Sequence, residues 1–189
     1  MTQSEFLQDL EAFLQEWQND KPTVCVHTSG STGTPKPMQV EKERMMASAK
    51  LTCSFLGLKE GDSALLCMPM QYIAGKMVVV RSLIANLKLI PVTPSGHPLK
   101  DLKEAPTFAA MIPMQVYNSL QVPEEQAILM GIKHLIIGGG AIDDALASEL
   151  KDFPNQVWST YGMTETLSHI ALRRLNGEDA SDWYTPFDS

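Results

Sequence analysis

The sequence predicts an α/β fold in which helices are layered on a mainly parallel sheet. Two observations support this prediction: short strand-like runs alternate with helical segments along the 189 residues, and several of these runs are apolar throughout. Strands that are apolar on both faces are typical of parallel sheets buried between helices. The sequence contains no internal repeat and no low-complexity segment that would argue for another architecture.

The first element is a helix that ends near Trp17. Thr2 and Glu5 have the spacing of a capping box, and apolar side chains follow at helical intervals. The next run, Thr23–His27, is rich in β-branched residues and is predicted to be a buried strand. After a loop rich in serine, threonine and glycine, residues 36–40 resume an extended pattern, because neighbouring prolines disfavour helix.

The remaining elements alternate between helix and strand. Helices are predicted over residues 41–55, 74–85, 114–120, 124–130 and 142–150, and strands over residues 64–68, 87–92, 107–112, 134–137, 156–159 and 167–174. Gly57 suits the end of the first of these helices, and Asp143 and Asp144 suit the start of the last. Residues 176–189 are polar and aperiodic.

Composition excludes several classes of protein. A net charge of −7 argues against a nucleic-acid binder, and no apolar run approaches the length of a membrane span. The first eighteen residues lack the basic region of a secretion signal. The three cysteines have no metal-type spacing, so we expect reduced thiols in the cytoplasm. Neither nucleic acid nor membrane insertion is therefore expected, an anionic small ligand is compatible with the charge, and a homodimer is left open.

The clearest chemical pattern is a loop that follows the strand Thr23–His27. It consists of Thr28, Ser29, Gly30, Ser31, Thr32, Gly33, Thr34, Pro35 and Lys36. Glycines let the backbone approach a ligand, successive N–H groups can form an anion-binding nest, and the hydroxyl groups and the lysine add donors and charge. These groups suit a polyphosphate. A flexible linker would not explain the flanking strand and lysine, and the residue order differs from that of a Walker loop.

This loop resembles the phosphate loop of the adenylate-forming superfamily, which includes acyl-CoA synthetases, luciferases and peptide-synthetase adenylation domains. Downstream, the sequence YGMTE at residues 161–165 is similar to the family's Y-G-x-T-E motif, and GGGA at residues 138–141 is similar to its G-G-[AG]-[PA] segment. The resemblance implies that the chain is part of the large N-terminal domain of such an enzyme.

The same resemblance implies roles for individual residues. The adenine would be flanked by the tyrosine and the glycine-rich backbone, which gives the nucleotide-binding residues Gly139, Gly140, Ala141, Tyr161 and Gly162 in addition to the loop. Thr164 would contact phosphate and Glu165 would hold Mg²⁺, so these two are the predicted catalytic residues and Glu165 the metal ligand. A turn carrying a surface glutamate is the alternative for this segment.

The predicted acid pocket rests on further similarities. Residues 68–75 resemble the family's P-x-x-H-x-x-G stretch, with a tyrosine in the histidine position, and residues 161–172 are most similar to o-succinylbenzoate–CoA ligases of menaquinone synthesis. The resemblance implies that Arg81 pairs with a second substrate carboxylate. The other predicted substrate-binding residues are Tyr72, Gly75, Ser168 and His169. A surface position for Arg81 and a solvent-facing His169 are compatible with the sequence as well.

The implied reaction has two steps, with ATP, Mg²⁺ and coenzyme A as cofactors. The acid attacks the α-phosphate of ATP to form an acyl-adenylate, and coenzyme A then displaces AMP. The family's ribose-binding aspartate, hinge and C-terminal lysine have no counterpart after Glu165. We therefore expect residues 1–189 to be a partial N-terminal AMP-binding domain without the C-terminal lid domain, weakly active or inactive alone. A fatty-acyl or aryl acid–CoA ligase and a non-catalytic nucleotide-binding module remain as alternatives.

Overall fold

The computed structural model describes residues 1–28 and 36–187, and they form two sheets. The smaller sheet is an antiparallel pair of β1 (Thr23–His27) and β2 (Pro37–Glu41). The larger sheet contains β3 (Ser63–Leu66), β4 (Lys88–Pro91), β5 (Phe108–Met111), β6 (His134–Ile137), β7 (Gln156–Gly162), β8 (His169–Arg174) and β9 (Thr185–Pro186). Its order is β4-β3-β5-β6-β7-β8-β9, and the first five strands of this order run parallel. β8 pairs antiparallel with β7, and β9 pairs antiparallel with β8. The prediction of a mainly parallel sheet is therefore confirmed.

Helices cover both faces of the larger sheet. The described helices are α1 (Gln3–Gln18), α2 (Lys42–Leu56), α3 (Ile73–Ile84), α4 (Pro113–Leu120), α5 (Pro123–Gly131) and α6 (Asp144–Leu150). On one face, α1 to α3 pack around Phe6, Met45 and Phe108. On the other face, α4 to α6 pack around Leu129 and Leu146. Burial on both faces explains why the central strand β5 is apolar throughout. None of the helices described is both long and apolar enough to cross a membrane.

The predicted helix ends are largely confirmed. The capping box of α1 forms, with the backbone nitrogen of Glu5 donating to Thr2 Oγ1 at 3.2 Å and the backbone nitrogen of Thr2 donating to Glu5. Gly57 ends α2 with a positive φ of 66°, which glycine adopts without strain. The helix predicted from residue 142 begins at Asp144 instead, because Asp143 is its N-cap and accepts a hydrogen bond from Leu146 N at 2.8 Å.

The C-terminal strands differ from the prediction. β7 extends three residues beyond residue 159 because Thr160 to Gly162 pair with β8. β8 begins at His169 rather than residue 167, because Thr164–Thr166 form a 3₁₀ turn and Leu167 has a φ of 69°. The aperiodic tail contains the short strand β9, which pairs with Ala171 and Leu172.

Candidate active site

A cavity of about 200 Å³ lies at the carboxyl ends of the parallel strands. Ligands of open α/β sheets bind at this edge, because the loops that follow the strands converge there. Side chains and backbone from β1, α3, β5, β6, β7 and the turn before β8 line the cavity, among them His27, Tyr72, Met111, Gly139, Thr164 and Ser168. The topology therefore brings distant parts of the chain together at one site.

Arg81 of α3 carries a buried positive charge into this cavity. Its side chain is only 2% exposed, and its Nη2 donates to Ser168 Oγ at 2.7 Å. The Nε atom is buried without a hydrogen-bond partner, and no ion pair within the described ranges involves this arginine. Burial lowers the pKa of the guanidinium to about 10. An unpaired buried cation at a cavity wall favours an anionic ligand that supplies the missing partner.

His169 lies beside Arg81 and is uncharged at neutral pH. Its ring is 7% exposed, with Nε2 3.0 Å from Thr52 Oγ1 and Nδ1 3.4 Å from Ser168 Oγ. Burial, and then the charge of Arg81, lower the pKa of His169 well below its usual value. The solvent-facing alternative for this residue is wrong, as is the surface alternative for Arg81. The cavity wall therefore combines one cation with neutral polar groups.

Thr52 is a member of this group that sequence reasoning missed. It lies on α2 and is fully buried, and its hydroxyl contacts a histidine far along the chain. A threonine inside a helix has no distinctive neighbours in the sequence. From the sequence, its position on the buried face of α2 would indicate a core residue and no role at the site.

Three glycines fit the close packing around the cavity. A Cβ atom on Gly162 would clash with the Ser168 carbonyl oxygen, and one on Gly138 would clash with Thr160 Oγ1. A Cβ on Gly75 would lie 2.7 Å from the Pro69 carbonyl oxygen. The absence of a side chain at Gly75 therefore allows the first turn of α3 to pack closely against the preceding loop. Gly75 therefore shapes the pocket without being among its lining residues.

A tight turn joins β7 to β8, and it contains two adjacent predicted site residues that differ in their exposure to solvent. Thr166 Oγ1 accepts from Met163 N at 2.9 Å and donates to the Ser168 carbonyl oxygen at 2.7 Å. Thr164 is buried and lines the cavity, whereas Glu165 is exposed. Within residues 1–28 and 36–187, no three His, Cys, Asp or Glu side chains cluster as a metal site. A single accessible carboxylate fits Mg²⁺, which commonly takes its other ligands from phosphates and water.

The ends of the predicted phosphate loop meet next to the cavity. Thr28 N donates to the Lys36 carbonyl oxygen and Lys36 N donates to Thr28 Oγ1, both at 3.1 Å. His27 N also bonds to the Gln71 carbonyl oxygen at 3.2 Å, which ties β1 to the loop that carries Tyr72. The predicted phosphate-binding residues Ser29, Gly30, Ser31, Thr32, Gly33 and Thr34 lie outside the described residues.

The cavity gathers part of the predicted site. Seven predicted residues line it: Tyr72, Arg81, Gly139, Gly162, Thr164, Ser168 and His169. Tyr161 lies on the other face of β7, 54% exposed, with its ring centroid 5.8 Å from that of Tyr184. Gly140 and Ala141 are exposed where the chain continues beyond Gly139. The lining residues thus include most of the predicted acid-binding set and fewer of the predicted nucleotide-binding set.

The fold, the phosphate-loop sequence and the turn motif after β7 together define an adenylate-forming domain. The AMP-binding enzyme family matches residues 2–186, and the chain belongs to this family. The resemblance stated from the sequence and the predicted fold class are thereby confirmed.

Among individual relatives, this chain is similar to 2-succinylbenzoate–CoA ligases. The Enterococcus faecalis protein of that name is 32% identical over 176 residues, which are 90% of this chain and 36% of the relative. The Haemophilus influenzae protein is 27% identical over 169 residues, which are 89% of this chain and 37% of the relative. The chain therefore spans about a third of the length of these curated relatives.

Two solved structures share the fold. An acyl-CoA synthetase (AMP-forming)/AMP-acid ligase II-like protein from Dyadobacter fermentans is 36% identical with a TM-score of 0.91, and the match covers 96% of this chain and 52% of that protein. The o-succinylbenzoate coenzyme A synthetase of Bacillus subtilis, in complex with ATP and magnesium ion, is 26% identical with a TM-score of 0.65. That match covers 80% of this chain and 32% of that protein.

Proposed function

We propose that this chain provides the acid- and nucleotide-binding part of an ATP-dependent acid–CoA ligase that activates o-succinylbenzoate. The observation that carries the proposal is Arg81, a buried guanidinium at the cavity wall without a carboxylate partner among the described residues. The names of the relatives in Enterococcus faecalis and Haemophilus influenzae support the same acid. The proposal assigns the reaction to menaquinone biosynthesis in the cytoplasm.

The acid has two carboxylates, and the proposal gives them different roles. One carboxylate attacks the α-phosphate of ATP, so that a carboxyl oxygen–phosphorus bond forms and the bond to pyrophosphate breaks. The other accepts hydrogen bonds from Arg81, whose Nε has no other partner. Tyr72 and Met111 at the wall offer apolar surface to the aromatic ring. A fatty-acyl or simple aryl acid would leave the buried charge unpaired, and for this reason we favour the diacid.

The nucleotide is assigned to the other end of the site. The phosphate loop, closed by the Thr28–Lys36 backbone pair, would hold the β- and γ-phosphates beside β1. Thr164 would contact the α-phosphate from the cavity wall, and Glu165 would hold Mg²⁺. The bound ion would neutralise charge on the phosphates. In the second step the coenzyme A thiolate attacks the acyl carbonyl carbon and AMP leaves.

Calorimetric titration with matched acids tests the choice of substrate. We expect o-succinylbenzoate to bind more tightly than 4-oxo-4-phenylbutanoate, which keeps the ring and the succinyl arm and lacks only the ring carboxylate, in the presence of Mg²⁺ and a non-hydrolysable ATP analogue. Arg81→Met should weaken o-succinylbenzoate binding about tenfold to a hundredfold, because a charge-assisted hydrogen bond contributes roughly 1.5–3 kcal/mol. Binding of 4-oxo-4-phenylbutanoate should be unchanged by the substitution. Equal affinity of the wild-type chain for both acids, or for a long-chain fatty acid, would exclude this assignment.

A further inference from the structure

A chain of hydrogen-bonded side chains connects α2 to the cavity wall. Thr52 Oγ1 lies 3.0 Å from His169 Nε2, and Nδ1 of the same ring lies 3.4 Å from Ser168 Oγ. Ser168 Oγ is in turn 2.7 Å from Arg81 Nη2. Thr52 is fully buried and is not one of the residues that line the cavity. Any influence of Thr52 on a ligand must therefore pass through its neighbours.

The direction of each hydrogen bond follows from the donors that are available. A guanidinium only donates, so Ser168 Oγ accepts from Arg81 and its own proton is directed to His169 Nδ1. Thr52 Oγ1 donates to the Ser48 carbonyl oxygen at 3.1 Å, so it accepts from His169 Nε2–H. In this arrangement each hydroxyl both donates and accepts. The ring therefore carries its proton on Nε2 and presents an unprotonated Nδ1 to Ser168.

We propose that Thr52 is a positioning residue for the acid pocket: by fixing the tautomer of His169, it holds Ser168 and the Arg81 guanidinium in the orientation that receives a carboxylate. The identity of the acid rests on the proposed function, whereas the hydrogen-bond chain does not.

Loss of the Thr52 hydroxyl has a definite consequence in this scheme. The buried His169 Nε2–H would lose its acceptor, which favours transfer of the ring proton to Nδ1. An Nδ1–H group would then donate to Ser168 Oγ, which would accept from both His169 and Arg81, and the Ser168 proton would lose its acceptor. The Ser168 hydroxyl would have to reorient towards a new acceptor, and this would shift the guanidinium bonded to it although no residue at the cavity wall has been replaced.

The tautomer can be measured directly by NMR on the chain labelled with ¹⁵N-histidine. Thr52→Val removes the hydroxyl with little change of shape, Thr52→Ser keeps it, and His169→Gln assigns the signals. We expect an Nε2–H tautomer in the wild type and in Thr52→Ser, and a shift towards Nδ1–H in Thr52→Val. An Nδ1–H ring in the wild type would overturn the proposal even if the valine variant did not fold. An unchanged tautomer in a folded Thr52→Val variant would do so as well.

Measuring the binding of two acids distinguishes a positioning role of Thr52 from a general loss of structure in the variant. Thr52→Val should weaken o-succinylbenzoate binding about fivefold, which corresponds to one hydrogen bond of roughly 1 kcal/mol, and should leave 4-oxo-4-phenylbutanoate binding unchanged. Thr52→Ser should restore the wild-type affinity. Equal weakening for both acids, or for neither, would reject a positioning role. If the wild-type chain bound neither acid, the proposed function would fail, while the tautomer measurement would still decide the role of Thr52.

Discussion

Replacing Arg81 by methionine should make the folded chain more stable while it removes the anion-binding group. The guanidinium is buried, and the ion pairs in the described part of the chain do not include it. Methionine is unbranched and flexible, so it can occupy the path of the arginine stem without carrying a charge. The substitution therefore removes the buried charge while it keeps most of the side-chain packing of α3.

The size of the effect follows from the pKa of this group. Burial lowers the pKa of Arg81 to about 10, whereas arginine ordinarily titrates at about 12.5, and each pKa unit corresponds to about 1.36 kcal/mol. The buried charge thus opposes folding by roughly 3 kcal/mol at neutral pH. The charge-assisted hydrogen bond to Ser168 offsets roughly 1.5–3 kcal/mol of this cost. We expect a net gain of about 1 kcal/mol in the free energy of unfolding.

Urea-induced unfolding at pH 7 measures this gain. Arg44→Met is a matched control on the exposed side of α2 and should change the free energy of unfolding by less than about 0.5 kcal/mol. If Arg81→Met destabilised the chain by 1 kcal/mol or more, the guanidinium would have to possess a stabilising anionic partner in the free protein. The argument for an anionic ligand would then be wrong.

Three further predictions concern other parts of the site. Between pH 7.5 and 5.5 the chain should lose up to about 1 kcal/mol of stability through His169, because the unfolded ring, with a pKa near 6.5, takes up a proton more readily than the folded ring, whose pKa is lowered. This stability is present above pH 6.5 and is lost as the pH falls below it, so His169→Gln should show a smaller pH slope in urea unfolding. Gly162→Ala should destabilise the chain by about 2 kcal/mol or more in thermal unfolding, because its Cβ would clash with backbone, whereas Gly140→Ala, with its nearest atom at 3.6 Å, should be tolerated. Lys36→Ala should weaken ATP binding about tenfold without changing stability, since Lys36 is exposed; an effect no larger than that of Lys50→Ala would count against the phosphate-loop assignment.

Local patterns allowed most elements to be predicted within a few residues. The capping box of α1 and the glycine after α2 depend on neighbouring residues alone, and both form as expected. Continuous apolar runs such as β6 predicted a sheet covered on both faces, because each face of these strands contacts helices. β9 was missed because two residues are too few to show a periodic pattern.

The state of the candidate site was less predictable, because it depends on long-range packing. The sequence left Arg81 equally compatible with the surface and with the pocket, and its burial arises from packing between α3 and the start of β8. The pairing of Thr52 with His169 joins residues far apart in the chain. No local pattern encodes such a contact. The two motifs identified the family, and the three-dimensional structure was required to reveal the hydrogen bonds around the proposed acid pocket.

The turn between β7 and β8 has a consequence for how this pocket can be redesigned. Three residues separate Thr164 from Ser168, and Thr166 Oγ1 bonds to backbone on both sides of the turn. Leu167, with its φ of 69° and buried side chain, leaves little freedom in that connection. The proposed metal ligand and the acid-binding serine therefore share one short, rigid segment. An altered acid preference is then more readily evolved from α2 or α3 than from this turn, where each change would also disturb the phosphate chemistry.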